Sequence, residues 1–212
     1  MAAKRGITLY HSPASRAFIT YWMLEELGVQ FDVETVDIRK GDQKKPAYLK
    51  INPAGKVPAL SDGGAIVTET PAICMFLADR YGYGTLAPRI EDPRRGEYLR
   101  WMVYSSAVVD PAAELHARQM DLPGNVAGFG TYEDMVAVLE GHLARHKYLV
   151  GDRFTAADVA LGGEISMLLY NRKLPDSAVL TDYNARLTAR PAYHRASDAT
   201  WPAHLFGPPA EA

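Results

Sequence analysis

The chain reads as an α/β N-terminal domain joined to an all-α C-terminal domain, and three observations carry that reading. Short β-type runs occur only between Ile7 and Thr68, where they alternate with helical segments. From Asp92 onward the apolar spacing is helical almost throughout, with no further strand signal. Between the two lies Gly82-Tyr-Gly84-Thr-Leu-Ala-Pro88, a run of turn and breaker residues. The boundary is therefore expected near residue 84, giving domains 1–84 and 85–212.

In order, Ile7-Thr-Leu9-Tyr10 is a short strand, and Ala14 through Gly28 reads as a helix with Ala17, Tyr21, Leu24 and Gly28 at helical spacing and Phe18 and Trp22 widening the apolar face. Phe31-Asp-Val33-Glu-Thr35 alternates as a strand with one polar face. Asp42 to Lys50 is a short charged helix or loop. Two strands follow, around Pro58 and over Ala65–Thr68, separated by the turn Ser61-Asp62-Gly63-Gly64. A helix then runs from Pro71 to about Tyr81, with Thr70 as its N-cap and Pro71 at its first position. The order βαβ-α-ββα without a CxxC pair is a thioredoxin-like arrangement.

In the second half, Asp92-Pro93 starts a long helix that bends at Pro111 and fades near Gln119. Leu122 to Gly130 is a loop, Thr131-x-x-Asp134 opens the next helix, and Thr155-x-x-Asp158 is a capping box. That box makes Asp158 a structural group rather than a catalytic acid.

With 212 residues and 48% hydrophobic composition the chain can bury a sizeable core. A net charge of −2 with both signs interspersed leaves no electrostatic footprint for nucleic acid or an anionic membrane, so small molecules or other subunits are the expected partners. No apolar run reaches the roughly 18 residues of a membrane span, and the first residues lack a secretory apolar segment; the protein is expected in the cytoplasm. The single cysteine, Cys74, excludes an internal disulfide and a cysteine-based zinc cluster, and its apolar neighbours mark it as a core residue. His142 and His146 share a helix face but lack a third ligand, so no metal is expected.

The stretch Lys56-Val57-Pro58-Ala59-Leu60 carries the functional signal. A proline inside an apolar run cannot donate to a sheet ladder, so Val57-Pro58 is a strand end whose backbone is left for a ligand. Glu69-Thr70 at the next helix start pairs an acid, suited to an ammonium, with free N–H groups, suited to a carboxylate. A backbone edge beside a site for an α-amino-acid end suggests a γ-glutamyl tripeptide.

These residues, Asn52-Pro53-x-Gly55-Lys56-Val57-Pro58-Ala59-Leu60 and Glu69-Thr70-Pro71-Ala72-Ile73, together with Thr155-Ala156-Ala157-Asp158, resemble soluble glutathione transferases of the bacterial type, in order and spacing over nearly the whole chain. The resemblance implies a cis Pro58, backbone pairing of Val57 with the cysteinyl part of glutathione, and capture of the γ-glutamate by Glu69 and Thr70. It also implies a homodimer using the helices around 73–81 and 97–104. Lys56 is a candidate partner for a glutathione carboxylate. Glutathione is then a co-substrate, no further cofactor is implied, and the second substrate is a small hydrophobic electrophile.

A thiol with a pKa of about 8.5 is only a few per cent ionised at neutral pH, and lowering it by about two pH units requires roughly 2.7 kcal/mol. One hydroxyl hydrogen bond plus a helix N-terminus supplies that. Five residues beyond Tyr10 stands Ser15, the offset at which serine-type members of the family carry their activator. Counting back from Glu25-Glu26-Leu27-Gly28 lands on Ala14 instead, and Arg16 takes the place where cysteine-type members carry cysteine. Ser12 and Tyr10 stay open beside Ser15. Trp101, Tyr104, Val108 and His116, on the long helix, are candidates for the electrophile pocket. The same cradle also suits a glutathione-dependent peroxidase, disulfide reductase or isomerase, or a non-catalytic binding module.

Overall fold

The computed structural model describes residues 6–201. The chain divides into two compact units, Met1–Leu77 with Arg190–Ala212, and Ala78–Ala189.

The first unit holds a four-stranded sheet in the order β2-β1-β3-β4, built from β1 (Ile7–His11), β2 (Phe31–Thr35), β3 (Ala59–Asp62) and β4 (Ala65–Thr68). β1 runs parallel to β2 and antiparallel to β3, which pairs antiparallel with β4. β3 continues through Ser61 and Asp62, so the turn contracts to Gly63 and Gly64, at φ +57° and +95°. Both lie in the left-handed region that a two-residue hairpin demands. The alternation of β2 does not become one buried face: it is the edge strand, and Val33 is 43% exposed.

Helix α1 spans Ala17–Leu27, three residues shorter at its start than the spacing suggests, because Ala14 lies at φ +58° and cannot be helical. Gly28 closes α1 in the left-handed conformation. The charged segment forms a single 3₁₀ turn, Asp42–Lys44, and the short α2, Pro46–Leu49. Helix α3 spans Thr70–Tyr81. Leu9, Trp22, Met23, Leu60, Ile73 and Leu77 are fully buried, as is Cys74, whose thiol burial holds protonated well beyond the ordinary range.

Helix α9 (Pro191–Thr200) comes last in the chain yet belongs to this first unit, packed along α1. The Arg190 guanidinium donates to both carboxylate oxygens of Glu26 at 2.6 and 2.7 Å, and Arg195 donates to Glu25 at 2.6 Å. Tyr193 packs edge-on against Phe18 and Trp22.

The second unit is helical. α4 (Arg95–Tyr104) begins later than Asp92-Pro93 suggests, because the Asp92 carboxylate is engaged by the Arg94 backbone and guanidinium in a turn before the helix. A π-turn over Ser105–Val109 then leads into α5 (Asp110–Ala117). The expected bend is thus a change of helical winding just before Pro111, which lacks the N–H an α-turn there would need. α6 (Tyr132–Leu143) is capped by Thr131, and α8 spans Ala178–Thr188.

α7 (Ala156–Tyr170) is buried over almost its whole length. Its capping box forms as the sequence predicts: Asp158 accepts from the Thr155 N–H at 2.8 Å, the Leu149 N–H at 2.9 Å and the Tyr183 hydroxyl at 2.9 Å. Burial pushes its carboxyl up to about 6 against those bonds. Its three partners are all structural.

Candidate functional site

Strand register determines which side chains share one end of the sheet. Tyr10 lies opposite Ala59, and Ala59 opposite Thr68. Because β3 runs antiparallel to both neighbours, the residues after Tyr10, before Ala59 and after Thr68 leave the sheet at the same end. His11 to Arg16, Lys56 to Pro58, and Glu69-Thr70 are thereby gathered.

In the first of these segments, the Ser15 hydroxyl donates to the Ser12 carbonyl at 2.7 Å and accepts from the Ala17 N–H at 3.2 Å. Ser15 thus ties the loop to the first turn of α1, whereas Ser12 is buried at 3% exposure. The positive φ of Ala14 is held by its N–H donating to the Thr200 carbonyl at 3.2 Å. His11 is also buried, and neither ring nitrogen has a hydrogen-bond partner among the described residues. Burial lowers its pKa to about 4, so the imidazole is neutral at pH 7.

Tyr10 is half-buried and meets Tyr48 edge-on, ring centroids 6.1 Å apart. The Val57–Pro58 bond is cis, as the resemblance implies. The Lys56 side chain is exposed. Glu69 is exposed at φ +68°, and its carbonyl accepts from the Ile73 N–H at 2.9 Å. The cap is therefore Glu69 and Thr70 the first helical residue, one position earlier than the Thr70-Pro71 signal suggests.

This chain matches the model of the glutathione S-transferase N-terminal domain over residues 5–79 and that of the glutathione S-transferase C-terminal domain over residues 127–190. It belongs to the glutathione S-transferase family. Glutathione S-transferase F9 of Arabidopsis thaliana is 35% identical over 158 residues, covering 68% of this chain and 71% of the relative. Glutathione S-transferase hmp2 of Hypomyces subiculosus is 32% identical over 166 residues, covering 72% and 78%. Among solved structures, a glutathione transferase homologue from Sulfitobacter with bound glutathione superposes with a TM-score of 0.71 at 26% identity, covering 92% of this chain and 98% of that one. The chain is thus a glutathione transferase, with a thioredoxin-like N-terminal domain and a helical C-terminal domain.

The four helical candidates of the transferase do not form one cluster. Trp101 is fully buried, its ring against Tyr104 at 5.4 Å and His142 at 4.7 Å with the Arg100 guanidinium over one face at 4.1 Å. Tyr104 and Val108 are half-buried. His116 lies beyond the π-turn, stacked on Tyr132 at 3.7 Å, with Nδ1 3.2 Å from Asp121. Asp121 and Tyr132 line a cavity of about 90 Å³ with Leu115, Leu122 and Phe129. His142 and His146 lie with ring centroids 4.6 Å apart and planes tilted by 36°, and the described residues hold no group of three metal-ligating side chains. A roomier groove of about 600 Å³ runs along β2, lined by Tyr21, Glu25, Phe31 and Val33, none of them a candidate residue.

Two residues of the sheet end have no role assigned from sequence, Tyr48 and Asn52, the second of which enters only as part of the Asn52–Leu60 motif. Tyr48 and Asn52 both donate to the Lys56 carbonyl, at 2.6 and 2.9 Å. Asn52 held a readable signal: its Oδ1 accepts from the Ala54 N–H at 3.0 Å, the side-chain turn that Asn before Pro-x-Gly favours. Tyr48 held none, since a lone aromatic in a charged segment has no periodic neighbour.

Proposed function

We propose that this glutathione transferase adds the glutathione thiolate to small apolar electrophiles, using a serine activator of the bacterial type. The observation that carries the reading is the convergence at one sheet end of the Ser12–Ser15 loop, the Val57–Pro58 segment and Glu69-Thr70. Glu69 and Thr70 hold the γ-glutamyl end, Val57 pairs with the cysteinyl backbone, Pro58 shapes that edge, and Lys56 reaches a carboxylate. Ser15 donates to the sulfur beside the N-terminus of α1, which favours the anion. In this role its hydroxyl proton turns from the Ser12 carbonyl to the ligand. Ser12 and Tyr10 are the substitutes if Ser15 is not the donor.

With an aryl halide, the thiol proton leaves to solvent, the thiolate forms a C–S bond, and the halide departs with the C–X electron pair. The protein contributes the lowered thiol pKa and the positioning. Tyr104 and Val108 meet the electrophile, with Trp101 as the buried support of Tyr104 and His116 at the far end of the same helical run. A homodimer is part of the proposal, supported by Leu99 and Val103, exposed at i and i+4 on α4. A cytoplasmic location is consistent with there being, among the described residues, no helix long and apolar enough to cross a membrane.

The test combines retention on immobilised glutathione with conjugation of a panel of aryl and alkyl halides. Retention together with conjugation of halides is expected. Retention without conjugation of any halide, but with peroxide or disulfide turnover, would replace the electrophile reading.

A further inference from the structure

The sheet end contains a constraint on the main chain itself. A peptide carbonyl has two lone pairs, and at Lys56 both are engaged by side chains: the Tyr48 phenol at 2.6 Å and the Asn52 carboxamide at 2.9 Å. Both donors are firmly held. Tyr48 is 5% exposed, packed with Val36 and Ala59 and against Tyr10, Ile51 and Val57. Asn52 is 3% exposed, and its other amide atom is used by the Ala54 N–H. Burial raises the Tyr48 pKa to about 12, so the phenol remains a donor throughout the working range.

Fixing that carbonyl also fixes Val57. The Lys56–Val57 peptide is planar and trans, so its N–H points opposite to its C=O. Val57 itself makes no backbone hydrogen bond among the described residues. The loop below has no slack either: Gly55 sits at φ +60°, and an added Cβ would lie 2.9 Å from the Gln43 carbonyl oxygen.

Resting on the reading of Val57 as the cysteinyl-backbone contact, we infer that Tyr48 and Asn52 are positioning residues for glutathione: their two hydrogen bonds to one carbonyl aim the Val57 backbone at the ligand. They touch neither sulfur nor electrophile, so they set glutathione affinity and leave the chemical step alone.

Tyr48→Phe keeps the ring and its contact with Tyr10 and deletes one donor. Its expected effect is a rise of roughly 3- to 10-fold in the glutathione Kd and KM, with kcat at saturating glutathione and KM for a model aryl halide within about twofold of the parent. Asn52→Ala should do the same, and the double variant should exceed either. If the double variant does not melt cooperatively, Tyr48→Phe decides alone. A Tyr48→Phe protein with a lowered melting temperature and an unchanged glutathione Kd would make the clamp purely structural and overturn the inference. Glu69→Ala is the parallel control: if it weakens glutathione while Tyr48→Phe does not, the inference alone falls. If neither changes the Kd, the placement of glutathione at this sheet end falls with it.

Discussion

The sheet end around Tyr10, Val57 and Glu69 and the helical run from Trp101 to His116 are built on opposite plans. At the sheet end, strand register and a helix cap place the proposed side chains of Glu69, Thr70 and Ser15 beside the Val57 backbone edge, which the pinned Lys56 carbonyl aims. On the helical run the proposed electrophile contacts are side chains, and a π-turn between Tyr104 and Asp110 changes the winding that would set their common face. A site framed by fixed backbone suits a ligand that never varies, because the few side chains it places are held in one geometry. A side-chain pocket on a rewound helix can be retuned by single substitutions without disturbing the fold. In the proposed function the constant substrate sits on the first plan and the variable one on the second.

Four measurements test these two regions. The largest effect on ligand binding is expected for Glu69→Ala, which removes the proposed acidic partner of the ligand ammonium and leaves the cap carbonyl in place. Affinity for glutathione should fall by at least about 30-fold, with loss of retention on immobilised glutathione and a native circular dichroism spectrum. Undiminished retention would place the γ-glutamyl site elsewhere.

The second concerns acid. Burial lowers the His11 pKa to about 4 from an ordinary value near 6.5, so the native state resists taking the proton that the unfolded chain accepts. His11 thus contributes stability that is complete above about pH 6.5 and is lost as pH falls toward 4, amounting to about 3 kcal/mol. Asp158, raised to about 6, has the opposite sign: the native state binds its proton more tightly, so acidification over the same interval favours folding. The two lie in different units, so bulk melting curves blur them. His11→Leu isolates the first. Its stability relative to the parent, read by urea unfolding, should improve by about 3 kcal/mol between pH values of about 7.5 and about 4. A pH-independent difference would mean that the imidazole gains a partner.

Next in size is Ser15→Ala, expected to slow conjugation of a model aryl halide by roughly 10- to 100-fold and to raise the kinetic pKa of bound glutathione, with glutathione affinity little changed. A full rate in Ser15→Ala with a loss in Ser12→Ala would transfer the role to Ser12. No loss in either would leave Tyr10 or backbone N–H groups. The smallest effect is expected for Val108→Ala, a change of about 2- to 5-fold in KM for the aryl halide with the glutathione Kd untouched. An equal change in both constants would remove the division of labour between the two plans.

What the sequence disclosed follows the same line. Proline, glycine and capping residues act through their own backbone, so the Val57–Pro58 strand end, the Gly28 helix stop, the Gly63-Gly64 turn and the Thr155–Asp158 box are legible within a few residues. Glu69 was legible by type and displaced only in that it, rather than Thr70, is the cap. Tertiary partners were not legible. Nothing in the spacing of α9 says that it packs along α1, because an amphipathic face does not name its partner. The left-handed Ala14 is likewise silent in the sequence, since an alanine there is supported only by the distant Thr200 carbonyl. The Tyr48–Asn52 clamp joins residues whose separate signals are weak and whose shared acceptor is a main-chain atom.

The core also encloses Cys74. The chain carries a single sulfhydryl, wholly enclosed on α3, the helix whose first turn follows Glu69. A thiol so placed is inert while the helix is seated and alkylates only during excursions that expose it. Its labelling rate is therefore a stopwatch for the unseating of α3, read from one mass increment per chain. With glutathione held at Glu69-Thr70, as proposed, the ligand must leave before the helix start can move away, so saturating glutathione should slow that stopwatch with no turnover required.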